Sequence, residues 1–133
     1  MGWLKRLFNS KISTATLLFV GGVEIIVGED KVYLGREERK VNEALSLDNL
    51  VIKEGNKINI KSHPMTQKVS RKHAVLTKES NNEYSITDQG SNSGTFVNEI
   101  KLVPGTKRSL SNHDKVELCG IGKNSIISFQ ILY

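Results

Sequence analysis

Apolar residues in this chain come in short runs, and the clearest of them alternate. Lys57-Ile58-Asn59-Ile60-Lys61 switches between polar and apolar at every position, the period of a strand with one buried face. Runs at 16–20, 23–27 and 31–34 are rich in β-branched or aromatic residues and are separated by Gly21-Gly22 and Glu29-Asp30. Further strands are predicted at 73–77, 83–87, 95–97, 100–103, 116–119 and 125–132. Turn chemistry falls between them: Glu54-Gly55-Asn56, Ser80-Asn81-Asn82, Asp88-Gln89-Gly90 and Pro104-Gly105. The last suits a type II turn, with proline at the second position and glycine at the third. Many short strands with regular turn signals predict an all-β sandwich.

Two stretches break that rhythm. Residues 1–11 place Trp3, Leu4, Leu7 and Phe8 on one helical face, with Lys5, Arg6 and Asn9 elsewhere, which predicts a short amphipathic helix. Residues 37–49 lack Gly and Pro and space Val41, Ala44 and Leu45 at helical intervals; they read as an insertion that has room for a short helix. The division expected is an N-terminal segment, 1–15, and one domain, 16–133.

Composition narrows the setting. The 133 residues carry a net charge of +5, with 38% hydrophobic and 25% charged residues, enough for a packed core. The basic balance suits an anionic partner, yet no block of five like charges marks a nucleic-acid tail, and no basic strand is interleaved with aromatics. Nucleic acid is disfavoured on those grounds. The single cysteine, Cys119, excludes an intrachain disulfide and reads as a structural thiol in a strand-like run. His63, His73 and His113 lack metal-ligand spacing, so no metal and no cofactor is called for. No apolar run reaches the roughly 18 to 20 residues of a membrane span. Lys5, Arg6 and Lys11, with no acid among the first eleven residues, make peripheral contact with a membrane surface the alternative to packing of this segment on the domain or on another copy. The expected compartment is the cytoplasm.

The candidate chemistry sits in three loops. Gly35-Arg36 ends one predicted strand, Ser70-Arg71-Lys72-His73 leads into another, and Ser91-Asn92-Ser93-Gly94-Thr95 precedes Phe96-Val97-Asn98. A phosphorylated threonine carries a charge of roughly −1.5 to −2 and three strong acceptor oxygens. Arg36 offers a permanent planar cation able to donate two parallel bonds, and Ser70 offers a hydroxyl and a backbone N–H. Asn92 and Ser93 are placed to grip a peptide main chain, and Gly94 to form a turn that a Cβ would resist. Arg36 taken alone reads as a solvated charge and Ser70 as an ordinary loop residue; their combination, in order and between strands, is what points to a phosphate.

That combination resembles the forkhead-associated (FHA) domain, whose pattern is Gly-Arg, then Ser-Arg-x-His, then Ser-x-Asn-Gly-Thr followed by Val-Asn. The likeness continues through Leu102-Val103-Pro104-Gly105, Leu110, Asp114 and Val116 to Leu118, and covers residues 16–133. It implies a β-sandwich of about eleven strands and a non-catalytic module that binds phosphothreonine on a partner protein or peptide. It further implies that Arg36, Ser70 and Asn92 hold the phosphate, that Arg71 and Ser93 face the peptide, and that Gly35, His73, Gly94 and Asn98 support the loops. Ser93 departs from the family's asparagine, Glu99 and His113 from its usual glycines, and the stretch between Arg36 and Ser70 is longer than usual.

Two other readings stand beside it. Gly120-Ile121-Gly122-Lys123-Asn124 superficially suggests a nucleotide-binding loop, but Glu117 and Asn124 occupy positions where that motif needs glycine and a hydroxyl. With no nucleophile–base arrangement either, an enzyme is not expected. The alternative kept open is a degenerate scaffold that binds its partner independently of phosphate.

Overall fold

The computed structural model describes residues 13–38, 40–46 and 50–133, and the amphipathic helix expected at 1–11 lies outside them. Twelve strands are present among the described residues: β1 (Ala15–Phe19), β2 (Glu24–Val27), β3 (Lys31–Arg36), β4 (Val51–Glu54), β5 (Lys57–Ile60), β6 (Ala74–Ser80), β7 (Glu83–Asp88), β8 (Thr95–Val97), β9 (Ile100–Lys101), β10 (Arg108–Leu110), β11 (Lys115–Leu118) and β12 (Ile127–Leu132). They form two six-stranded sheets, ordered β2-β1-β12-β11-β8-β9 and β10-β7-β6-β3-β5-β4.

The alternation read in the sequence is the alternation of burial. In β5, Ile58 and Ile60 are buried while Lys57 and Asn59 are only half-covered; β12 buries Ile127, Phe129 and Ile131 and leaves the residues between them partly exposed. The buried faces of both sheets meet in one core that includes Leu17, Leu34, Leu76, Ile86, Leu118 and Phe129. Each such side chain contributes about 1.5–3 kcal/mol on burial. Phe19 stands opposite Phe129 on the neighbouring strand, their rings 5.1 Å apart and tilted by 44°, a geometry that aromatic quadrupoles favour.

Every strand pair is antiparallel except β3 with β5, which run parallel with Arg36 level with Ile60. A parallel pair needs a crossover, and the stretch between Arg36 and Lys57 provides it, passing through β4 on the sheet edge. Its described residues 40–46 form a turn and not the helix that their composition allowed. The Asn42 side chain accepts the Ala44 N–H at 3.1 Å, an alternative that draws backbone donors away from helical bonding. Asn42 N–H is also spent on Ser62 O, at 3.0 Å, and Val41 is 45% exposed, so no apolar helical face forms. Two strands escaped the pattern reading, β4 and β10; each is short and lies at a sheet edge, where one-sided burial leaves a weak periodic signal.

Candidate functional site

Three segments converge at one end of the sandwich: the end of β3, the approach to β6, and the loop between β7 and β8. The backbone of Ser70-Arg71 passes directly over Gly35. A Cβ built there would lie 1.7 Å from Arg71 O, so only glycine admits this crossing. The crossing is tied on both sides, by Arg36 N–H donating to Ser70 O and by His73 N–H donating to Leu34 O, each at 3.0 Å.

Arg36 is thereby fixed with its head group aimed into the cleft. Its Nε–H donates to Val69 O at 2.9 Å, and among the described residues no hydrogen bond or ion pair occupies Nη1 or Nη2. The acid next to it in sequence does not neutralise it. The Glu37 carboxylate turns instead to Lys61 Nζ at 3.1 Å and to the Ser62 N–H at 3.3 Å. Two parallel donors of a permanent cation therefore remain for a ligand.

Ser70 is held from both its ends. Its N–H donates to His73 Nδ1 at 3.0 Å, and its hydroxyl oxygen accepts the Asn92 N–H at 3.0 Å. Because the hydroxyl acts as acceptor in that bond, its own proton is left to donate elsewhere. His73 is fully buried. With Nδ1 accepting, its proton sits on Nε2, which donates to Gly94 O at 2.9 Å. Burial pushes the imidazole below its ordinary pKa, against the opposing pull of the Gly94 carbonyl and Asp88. His73 thus bridges the two loops as a neutral ring.

The third loop is built around a residue that motif reading passed over as turn chemistry. Asp88, buried at the end of β7, accepts the backbone N–H of Gly90 and of Ser91 at 3.0 Å each. It also accepts the Ser91 hydroxyl at 2.6 Å and the Thr95 hydroxyl at 2.7 Å. Burial alone would raise its pKa, but the bonds from Ser91 and Thr95 outweigh burial and hold the carboxyl below its usual range. The Ser91 hydroxyl in turn accepts the Gly94 N–H at 2.9 Å, and Gly94 turns at φ +90°. An Asp two residues before a Gly, as in Asp88-Gln89-Gly90, is an Asx-type turn signal, and that signal would have found it.

The remaining predicted residues separate into three groups. Asn92 and Ser93 line the same cleft as Arg36, Ser70, Arg71 and Lys68. Burial pushes the pKa of the Cys119 thiol up to about 11, against the lowering effects of the Ser93 side chain and Lys68; Cys119 is a protonated structural thiol beneath the loop. Asn98 stands at the far end of β8 from Gly94. It bonds Asp114 at 2.9 Å and accepts the Lys115 N–H at 3.0 Å, so the turn it supports is the one before β11. The glycine-rich stretch at 120–124 binds the protein itself, because Gly122 N–H donates to the Glu117 carboxylate at 2.8 Å. Among the described residues no group of His, Cys, Asp and Glu is arranged to hold a metal ion.

Comparison with known proteins bears on the family and the fold. A family model described as the FHA domain matches residues 32–119. Over 54 residues the chain is 46% identical to the "Probable E3 ubiquitin-protein ligase dma1" of Schizosaccharomyces pombe, a match covering 38% of this chain and 20% of that protein. The chain thus spans about a fifth of that relative's length. The solution structure of the FHA domain of an Arabidopsis thaliana hypothetical protein is 25% identical, with a TM-score of 0.64 over 91% of this chain and 86% of that one. A structure from a study of phosphothreonine-dependent FHA domain interactions shares the fold at 15% identity, with a TM-score of 0.57 over 90% of this chain and 96% of that one.

Proposed function

This chain belongs to the FHA domain family, and we propose that it works as a non-catalytic module that binds a phosphothreonine on a partner protein. The observation that carries this reading is the state of Arg36 and Ser70 before any ligand arrives. Arg36 has two donors unspent and its orientation fixed through Val69 O, and the Ser70 hydroxyl is positioned by Asn92 N–H. Donors held in place in this way bind an anion without first losing side-chain freedom, which is what preorganisation contributes to affinity. Charge-assisted bonds of this kind are worth roughly 1.5–3 kcal/mol each.

Preference for threonine over serine is what membership of the family suggests, and a methyl group removed from water in the cleft would contribute about 0.8 kcal/mol. The main chain of the peptide runs past Asn92, Ser93 and Arg71 in this reading. A serine at position 93 offers fewer bonds than the family's asparagine, so the phosphate dominates the affinity.

The test is a screen of an oriented phosphopeptide library against the purified protein. Phosphothreonine peptides are expected to be retained, with phosphoserine and unphosphorylated forms weak or absent. A protein that retains peptides regardless of phosphate would be a scaffold that docks by another surface.

A further inference from the structure

Beyond the phosphate cleft, Arg71 also lines a neighbouring depression bounded by Tyr33, Asn56, Lys57, Lys72 and Gln89. The two clefts share this one arginine, and neither is lined by an acid. Charge bookkeeping then leaves a surplus. Arg36 and Lys68 in the first cleft match a phosphate of roughly −1.5 to −2, which leaves Arg71, Lys57 and Lys72 unanswered. Four lysines elsewhere have carboxylate partners, Lys53 with Glu29, Lys61 with Glu37, Lys107 with Glu79 and Lys115 with Glu117. Among the described residues Lys57, Arg71 and Lys72 have none. Glu54 stands opposite Lys57 in the strand register, yet its carboxylate takes the Asn59 side-chain amide at 2.9 Å instead. Lys57 is half-buried in β5, so part of its stem is already fixed and less freedom is lost on pairing.

We propose that the ligand carries a second anionic group, a carboxylate or a second phosphate, beside its phosphothreonine, and that Arg71, Lys57 and Lys72 receive it. The inference rests on the phosphothreonine reading of the first cleft. A phosphopeptide anchored at Arg36 and Ser70 carries its neighbouring residues across Arg71, where three like charges in one concave patch raise the local potential for anions.

The experiment titrates the full chain with phosphothreonine peptides whose flanks are neutral, then with glutamate or a second phosphothreonine placed in turn at each of several flanking positions. At one register the added anion is expected to tighten binding by about three- to tenfold at low salt, the range for a few partly exposed charge pairs. The Lys57→Ala/Lys72→Ala double variant should lose that gain while binding the neutral-flank peptide as wild type does. A gain from glutamate identifies a carboxylate as sufficient; a gain from phosphate alone identifies a doubly phosphorylated ligand. Equal affinity for neutral and acidic flanks at every register, or a gain that survives in the double variant, overturns the second-anion site and leaves the phosphothreonine reading intact. Failure of every phosphopeptide to bind overturns both.

Discussion

The Asn92 N–H donates to the Ser70 hydroxyl at 3.0 Å, and through this bond two loops far apart in sequence share one polar framework. His73 joins them a second time, from Ser70 N–H to Gly94 O. The cleft is assembled by the fold itself, and the Arg36 terminal nitrogens and the Ser70 hydroxyl proton are left over after the structural bonds are made.

Gly35→Ala should damage the framework first. The new methyl would lie 1.7 Å from Arg71 O, and relieving such overlap requires moving the backbone that carries Ser70. Overpacking of this kind costs about 1–3 kcal/mol or more. Thermal melting should show a clear loss of stability together with weakened binding; a variant that melts and binds as wild type would mean that the crossing is looser than described.

His73→Ala should lower stability more than the intrinsic affinity of the molecules that remain folded, because it leaves the Ser70 N–H and Gly94 O without their partner. A buried group left unpaired costs about 1–3 kcal/mol. The pH dependence has a definite sign. Burial lowers the pKa of His73 in the folded protein, so the unfolded chain takes up the proton more readily. Its contribution is full above the unfolded value near 6.5 and is lost as pH falls below that value toward the lower folded one. Protonation would also turn Nδ1 into a donor facing the Ser70 N–H. Wild-type stability should therefore drop on going from pH 7 toward pH 5, and the drop should be smaller in His73→Ala; parallel profiles would contradict the neutral-brace role.

Much of this was legible beforehand, for identifiable reasons. The alternation in β5 and the β-branched runs of β1 to β3 encode one-sided burial directly, and Arg36, Ser70, His73 and Gly94 occur in a motif whose spacing is fixed by the strands between them. What the sequence hid depends on contacts made only after folding. Nothing local distinguishes Gly35 from any turn glycine until the Arg71 backbone is laid over it. The Asx turn at Asn42 outcompeted a helix that composition permitted. The Ser93 side chain influences Cys119, 26 positions further along the chain, and Asn98 serves a turn that only the sheet register brings near.

Asp88→Ala should unfasten the third loop, since the Ser91 and Thr95 hydroxyls and two backbone N–H groups lose their acceptor. Because the folded pKa of Asp88 is lowered, its contribution is present above the unfolded value of about 3.9 and is lost as pH falls through the lower folded value. Chemical denaturation should thus show a deficit of about 1–3 kcal/mol at pH 7, shrinking in strong acid. An undiminished deficit below the folded pKa would point to lost packing and not to the charge.

Ser93→Asn restores the longer side chain that the family carries at this position, with an amide able to donate and accept along a peptide main chain. It also removes the hydroxyl that lowers the Cys119 pKa. The expected outcome is a phosphopeptide affinity raised several-fold, by roughly the 0.5–1.5 kcal/mol of one net hydrogen bond, and a Cys119 thiol pushed further above its ordinary pKa in a thiol-alkylation rate profile. Unchanged or weaker binding would mean that the peptide main chain takes another path.

The most direct measurement compares wild type, Arg36→Ala and Arg36→Lys by calorimetric titration with one phosphothreonine peptide and its unphosphorylated twin. Arg36 enters the framework through its backbone, which an alanine keeps, and through Nε, so the alanine variant should still fold, which a melt would verify. Wild type is expected to bind the phosphorylated peptide alone, Arg36→Ala to lose most of that binding, and Arg36→Lys to be weakened because an ammonium lacks the two-pronged donor. Phosphate-dependent binding by a folded Arg36→Ala protein at wild-type affinity would contradict the account.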